Sequence, residues 1–348
     1  MSAPINTALC SYGMSGKIFH APFIALNPGY NLLGSWERTK ELIGADYPGT
    51  ISYKTFEELL ADAAVELVII NTPNYTHYEL AKQALQAGKH IVVEKPFTST
   101  ADEAAELIRL AKEKNKLISV YQNRRFDSDY KTVKQVLDEK LLGDVVEVEI
   151  HFDRFSESLS YKAHKETPGP GANIMYDLGS HLIDQALQLF GWPAAVFADT
   201  RVVRPYSKVD DYFDLLLYYP SVRVRLKSTY VAREAPVGYI LHGLKGSFIK
   251  PKTNVQEVDL AAGKLPTAEG WGVEPANERG LLHTERDGIV IRELIPSLTG
   301  NYMNYYDQLH DAIRNGKPVP VTAEDGMKVI RIIEAAYQSS NAKKLIEL

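Results

Sequence analysis

Over the first 122 residues, short apolar runs take turns with amphipathic stretches. The runs Ile5–Cys10, Tyr30–Trp36, Val65–Asn71, His90–Val93 and Leu117–Tyr121 have strand length and are mostly apolar. Strands covered on both faces of a parallel sheet have this character. Helical stretches separate them. Thr55-Phe56-Glu57-Glu58 and Thr100-Ala101-Asp102-Glu103 each open one with a capping-box pattern, and Thr76–Ala87 stops at Gly88, a C′ glycine. Strand and helix repeating every ~25–30 residues predict a doubly wound parallel sheet with right-handed crossovers, whose ligands bind beyond the carboxyl ends of the strands. Further along, the apolar period changes to two. Val145–Phe155, Tyr212–Tyr219 and Val222–Tyr230 alternate, with Arg223, Arg225 and Lys227 set between Val224 and Leu226. The change of pattern divides the chain into a domain at 1–122 and a second at 123–348.

Behind the first run stands Ser11-Tyr12-Gly13-Met14-Ser15-Gly16, a G-x-G-x-x-G dinucleotide loop with serine in place of its first glycine. Gly13 would let the backbone approach a pyrophosphate, and Gly16 would let the first helix lie close on its strand. Ser11 is compatible with this only if position 11 needs no positive φ. The alternative is a plain turn holding two glycines; the strand before it and the alternation after it favour the cofactor loop. Glu37 and Arg38 follow the second run, where an acidic residue would accept from a ribose 2′-OH and an arginine would pair with a 2′-phosphate. NAD and NADP both remain open at that point, as does a solvated helix start.

Composition removes other classes. The 348 residues are 45% hydrophobic and 24% charged, with a net charge of −5, so neither a nucleic-acid nor an anionic-membrane partner is expected. No run reaches the ~20 apolar residues a membrane-spanning helix needs. The start lacks the basic segment of a secretion signal, and the lone Cys10 reads as a buried filler in a reducing, cytoplasmic setting.

Candidate chemistry gathers at strand ends and on one helix. Glu94-Lys95-Pro96 ends a predicted strand on the ligand side, where an ammonium can hydrogen-bond a substrate oxygen; an ordinary surface lysine is the alternative. The loop Asn71-Thr72-Pro73-Asn74 and His77 offer polar groups to a nicotinamide, although His77 would serve equally as a cap. In Gly169–Pro193 a helix is predicted from about Ile174, with Asp177, His181, Asp184 and Gln188 on one face. A half-exposed helix with a polar face has the same spacing. No metal site is expected, because neither a third ligand nor an H-E-x-x-H pattern accompanies the pair.

The glycine loop, Glu94-Lys95-Pro96, Tyr121-Gln122-Asn123-Arg124-Arg125-Phe126 and Tyr176-Asp177-Leu178-Gly179-Ser180-His181 together resemble the glucose–fructose oxidoreductase/inositol dehydrogenase (Gfo/Idh/MocA) family. Phe19-His20-Ala21-Pro22, His242–Lys250 and Pro318–Ile330 are similar to its branch of NADP-dependent scyllo-inositol dehydrogenases. The resemblance implies a Rossmann-like domain followed by an α/β domain with a large, mostly antiparallel open sheet, assembled as a homodimer or larger homo-oligomer. It implies hydride transfer between NAD or NADP, with a lean to NADP, and a secondary alcohol of a sugar or cyclic polyol. The family's catalytic lysine, aspartate and histidine match Lys95, Asp177 and His181. Ser11, Gly13, Met14, Ser15, Gly16, Glu37, Arg38, Asn71, Thr72, Pro73, Asn74, His77, Glu94, Lys95, Pro96 and Gln122 are then expected around the cofactor. Arg124, Tyr161, Asn173 and Tyr176 are expected around the substrate, and the Lys95–Pro96 bond is expected to be cis. A nicotinamide-sensing regulator without turnover, or a reductase of a hydrophobic ligand, are the rival readings.

Overall fold

The computed structural model describes residues 3–160 and 163–348. Its contacts form two compact units: Met1–Asn123 with Gln256–Trp271 and Asn301–Lys328, and Arg124–Val255 with Gly272–Gly300 and Val329–Leu348. The second domain drawn at 123–348 therefore lends two segments to the first unit.

The first unit is built on a six-stranded parallel sheet in the order β3-β2-β1-β4-β5-β6. Its strands are β1 (Ile5–Leu9), β2 (Tyr30–Trp36), β3 (Ile51–Tyr53), β4 (Leu67–Ile70), β5 (His90–Glu94) and β6 (Ile118–Tyr121). Every residue of β4 and β6 is buried, as expected for strands covered on both faces. The strand order reverses beside β1, so the loops after β1 and β4 stand at the crevice where such sheets take ligands. The sequence reading missed β3, a three-residue edge strand too short to leave a periodic signal. Both capping boxes are present: Thr55 caps Phe56–Ala61, and Thr100 caps Ala101–Lys114. The helix Met303–Asn315 packs in the same unit through Tyr305 and Tyr306. Tyr306 stacks on Phe23 at 5.7 Å, and Tyr305 meets the Tyr121 ring edge-on at 4.9 Å.

The second unit carries a nine-stranded sheet. Its strands are β7 (Val145–His151), β8 (Ala195–Arg201), β9 (Tyr212–Tyr218), β10 (Arg223–Thr229), β11 (Tyr239–Gly243), β12 (Gly246–Lys250), β13 (Gly280–Arg286), β14 (Ile289–Ile295) and β15 (Ile346–Glu347). They lie in the order β14-β13-β12-β11-β7-β10-β9-β8-β15, antiparallel except for the β7–β10 pair. Alternation along β9 and β10 buries Phe213, Leu215 and Leu217, and Val224 and Leu226. The helix Ser180–Phe190 is buried along its first two turns and ends at Gly191, whose φ of 77° suits a residue without a Cβ.

Candidate active site

The first unit carries the glycine loop just past β1. Ser11 lies outside the positive-φ residues, so the missing glycine costs no backbone strain. Its hydroxyl accepts the Gly13 N–H at 3.2 Å, tightening the turn. Asn71, just past β4, clamps the loop reciprocally: its Oδ1 accepts the Ser11 N–H at 2.9 Å and its Nδ2 donates to the Ser11 carbonyl at 2.7 Å. A Cβ on Gly16 would stand 2.3 Å from the Ser11 carbonyl oxygen. The glycine is what lets the helix start reach the strand end. Gly13 and Met14 are exposed, and a Cβ on Gly13 would meet nothing closer than Ser11 Oγ at 3.4 Å. The protein's own packing therefore leaves room for a side chain at position 13. An open backbone at the mouth of a helix fits a pyrophosphate.

At the end of β2 the two candidate cofactor readers have different surroundings. The Glu37 carboxylate is buried and accepts the N–H groups of Leu42 and Ile43, at 3.0 and 3.1 Å, and the Ser52 hydroxyl at 2.9 Å. It caps the short helix Leu42–Asp46. Arg38 is exposed, with Thr39 and Lys40 beside it.

The Lys95–Pro96 bond is cis, and Lys95 is half-buried at the end of β5. Glu94 accepts the Lys95 N–H on Oε2 at 3.1 Å and the Ser15 hydroxyl on Oε1 at 2.6 Å. Burial opposes its ionisation, but the hydrogen bond and charge of His20, with help from Ser15 and Lys95, hold its carboxyl down at about 2. His77 is buried. Its two ring nitrogens meet the carbonyls of Pro96 and Thr72, both at 2.9 Å, so it ties the Thr72–Asn74 loop to the lysine turn. Burial pushes its imidazole below the usual range, against the pull of those carbonyls. In the same loop, the Thr76 hydroxyl donates to the Pro73 carbonyl at 2.6 Å and the Asn74 side chain accepts the Tyr75 N–H at 3.0 Å. Gln122, at the end of β6, is buried.

The second unit holds a cleft of about 230 Å³ around the start of the other candidate helix, with charged and apolar residues both in its wall. Arg154, Lys165, Asn173, Asp177, Asp210 and Tyr230 line it. Asn173 has a φ of 124°, uncommon for a residue with a Cβ, and its Oδ1 accepts the N–H groups of Met175 and Tyr176. It opens the helix and leaves Asp177 in the cleft, where Lys165 donates to it at 2.6 Å. Burial raises the Asp210 carboxyl, partly offset by Tyr337 and reinforced by Asp211. Tyr176 stacks against Tyr337 at 6.4 Å, and His181 is buried one turn past Asp177.

Two placements differ from the sequence reading. Asp184 does not share a working face with Asp177: it is buried in a two-point pair with Arg125, at 2.8 and 2.6 Å, and Gln188 is exposed. Arg124 is also buried, and its guanidinium holds Asp127 at 3.1 Å and the Asn254 side chain. Tyr161 lies outside the described residues. Among the described residues, no cluster of His, Cys, Asp or Glu has the make-up of a metal site, and no helix is long and apolar enough to cross a membrane.

Two family models match the chain. Residues 5–122 fit the NAD-binding Rossmann fold of the Gfo/Idh/MocA oxidoreductases, and residues 134–348 fit their C-terminal α/β domain. The chain belongs to this family. It is 39% identical to scyllo-inositol 2-dehydrogenase (NADP(+)) IolW of Bacillus subtilis, over 99% of this chain and 96% of that one. Its fold superposes on the crystal structure of an oxidoreductase from Bacteroides fragilis with a TM-score of 0.91 at 46% identity, covering 99% and 100% of the two chains. The B. subtilis oxidoreductase yvaA gives 0.95 at 38% identity, covering 99% and 98%. The protein is therefore an NAD(P)-dependent oxidoreductase with a Rossmann domain.

Sequence reasoning missed Lys165, Asp210 and Tyr230 as cleft residues, and His20 as the partner of Glu94. Only Tyr230 had a signal, as the last residue of an alternating run. Phe19-His20-Ala21-Pro22 was noticed but given no role.

Proposed function

We propose that this protein transfers hydride reversibly between a nicotinamide and a secondary alcohol of a cyclic polyol or sugar. The cleft carries the reading. Arg154, Lys165, Asn173, Asp177 and Asp210 offer donors and acceptors for several hydroxyls, and Phe155, Ile174 and Val209 add apolar wall for the carbon face of a ring. The name of the B. subtilis relative points to an inositol and to NADP(+). Exposed Arg38, beside a Glu37 already committed to two backbone N–H groups, favours the 2′-phosphate of NADP.

The dinucleotide, when bound, supplies the hydride acceptor. Ser11, Gly13, Met14, Ser15 and Gly16 would hold its pyrophosphate, and Arg38 its 2′-phosphate. The loop Asn71–Asn74 and the Glu94–Pro96 turn, with Gln122 nearby, would line the path to the ring. In the polyol, Lys95 stabilises the alkoxide character that develops on the reacting oxygen. His181 in its neutral form takes the hydroxyl proton. Asp177, held by Lys165, orients the histidine or binds a neighbouring hydroxyl. Asn173 lines the cleft, Tyr176 supports it through its stack on Tyr337, and Arg124 acts from behind by fixing the chain around Asp127.

A homodimer or larger homo-oligomer belongs to the same reading. Phe197 on β8 and Leu294 on β14 are exposed apolar residues of the large sheet, the element this reading assigns to pairing with a second copy. Light scattering tests it. Function is tested by screening inositols and aldoses with NADP+ and NAD+ for nicotinamide reduction. Turnover of at least one polyol or sugar, better with NADP+, is expected. Tight dinucleotide binding with no turnover across the panel would favour a regulator, and turnover of hydrophobic carbonyls alone would favour the reductase.

A further inference from the structure

We infer that His20 is a positioning residue for Lys95: it holds the Glu94 carboxylate, and through it both the lysine turn and the start of the glycine-loop helix. The inference rests on the catalytic reading of Lys95. All its parts lie in the first unit. Glu94 Oε1 receives His20 Nε2 at 3.0 Å and the Ser15 hydroxyl at 2.6 Å, while Oε2 receives the Lys95 N–H at 3.1 Å. One carboxylate thus joins the dinucleotide loop to the lysine turn, and its side chain is only 14% exposed. A carboxylate so shielded from water keeps its place and its charge only if donors surround it.

His20 is fixed from its other side as well. Its ring is fully buried, lies 4.5 Å from the Tyr121 ring, and meets the Tyr306 hydroxyl through Nδ1 at 2.7 Å. Nε2 faces the Glu94 carboxylate, while the Tyr306 hydroxyl, which also donates to the Phe19 carbonyl at 3.1 Å, holds the Nδ1 side of the ring. Local backbone geometry aims the ring. Gly16–His20 is a π-turn, with the Ala21 N–H bonded back to the Gly16 carbonyl, before the α-helix resumes at Ala21. In a continuous α-helix, residues 15 and 20 would point about 140° apart, at 3.6 residues per turn. The i→i+5 ladder brings them nearly one above the other, onto the same carboxylate oxygen. Pro22, buried at the first turn of the following helix, and Ala21, fully buried, keep that start in register. This gives Phe19-His20-Ala21-Pro22 a role that neither the cofactor loop nor the cleft had required.

The test is a double-mutant cycle of His20→Asn with Lys95→Ala, using NADP+ and the best polyol from the screen. Asparagine keeps a group near Nδ1 for Tyr306 and loses the reach to Glu94; His20→Gln keeps a donor near the Nε2 position. Expected are a kcat for His20→Asn lower by about tenfold, about 1.4 kcal/mol, partial rescue in His20→Gln, and no further loss when His20→Asn is added to Lys95→Ala. The same fold loss in both backgrounds would make His20 a general structural residue and overturn the inference. If His20→Asn does not fold, Glu94→Gln goes through the same cycle with the same criterion. Near-normal turnover in Lys95→Ala alone would instead remove the catalytic reading of the lysine, and this inference with it.

Discussion

Gly13 and Gly16 sit three residues apart in one loop, yet they should fail in opposite ways when substituted. At Gly16 an added Cβ would overlap the Ser11 carbonyl oxygen at 2.3 Å and crowd Asn71 Nδ2 at 3.1 Å. Both obstacles belong to the reciprocal Ser11–Asn71 clamp, and one of them is backbone, so relief means moving the helix start or breaking the clamp. Overpacking of this kind costs about 1–3 kcal/mol, and each lost clamp bond adds about 0.5–1.5 kcal/mol. Gly16→Ala should therefore lower the melting temperature of the ligand-free protein by several degrees, at about 2–4 °C per kcal/mol for a unit of this size.

Gly13→Val should leave that melting temperature nearly unchanged, because a Cβ there has only ordinary contact with Ser11 Oγ and the φ is not positive. Its branched side chain would instead occupy the space where the pyrophosphate meets the backbone. Losing one or two charge-assisted hydrogen bonds, about 1.5–3 kcal/mol each, corresponds to at least a tenfold weaker Kd for NADP+. Differential scanning fluorimetry of the ligand-free proteins and equilibrium titration with NADP+ separate the two effects. Wild-type affinity in a folded Gly13→Val protein would refute the assignment of this loop. An unshifted melt in Gly16→Ala would refute the packing argument.

Arg38→Ala should raise the KM for NADP+ by roughly 10-fold or more and leave NAD+ little changed, as expected for loss of a charge-assisted bond to phosphate; equal losses for both would make Arg38 a surface residue. Glu37→Ala strips acceptors from the Leu42 and Ile43 N–H groups, so it should lower stability by about 1–3 kcal/mol without switching cofactor, and a clean change of preference in a fully stable variant would contradict the capping role. His181→Ala should reduce kcat by roughly 10²–10⁴ with NADP+ affinity retained; near-normal turnover would move the base elsewhere. Glu94 is held at about 2 against an ordinary value of 4.5. A depressed carboxyl stabilises the fold fully above its unfolded value and loses that contribution as pH falls toward the folded one. The stability gap between wild type and Glu94→Gln should accordingly close as pH drops from about 4.5 to about 2, and a gap independent of pH would show that the Glu94 charge is not what matters.

Elements whose side-chain pattern is dictated by burial were readable from the chain. β4 is a continuous apolar run and β6 is broken only by buried Ser119, because both their faces are covered, whereas β9 and β10 alternate because one face is not. Thr55 and Thr100 announced their helices because a capping box needs specific residues at fixed spacing. Short β3 and the antiparallel strands β11–β14 left weaker marks, since pairing with distant partners, rather than local pattern, makes them strands. At the site, the glycine loop and the lysine turn were legible because their chemistry is contiguous. Lys165 and Asp210 were not: the first reaches Asp177, and the second accepts the Ile174 N–H on its carbonyl, only through the folding of the second unit.

The sequence reading went astray at one particular physical feature. Both candidate helices begin with a π-turn, Gly16–His20 in the first unit and Met175–Gly179 in the second. A π-turn inserts a residue into the helical ladder, so a periodicity of 3.6 carried across it assigns the wrong neighbours on one side. That is why Asp177 and Asp184 looked like members of one polar face. Asp177 precedes the end of the insertion and lines the cleft, whereas Asp184 follows it and is buried against Arg125. The same irregularity aligns Ser15 with His20, a pairing that an α-helical wheel sets far apart. Glycine stands in both turns, Gly16 opening the first and Gly179 closing the second. In the first, the absence of a Cβ lets the widened turn press against the strand end. The irregular turns thus set the directions of Ser15 and His20 toward Glu94 and of Asp177 toward the cleft, and these are the groups on which the proposed chemistry depends.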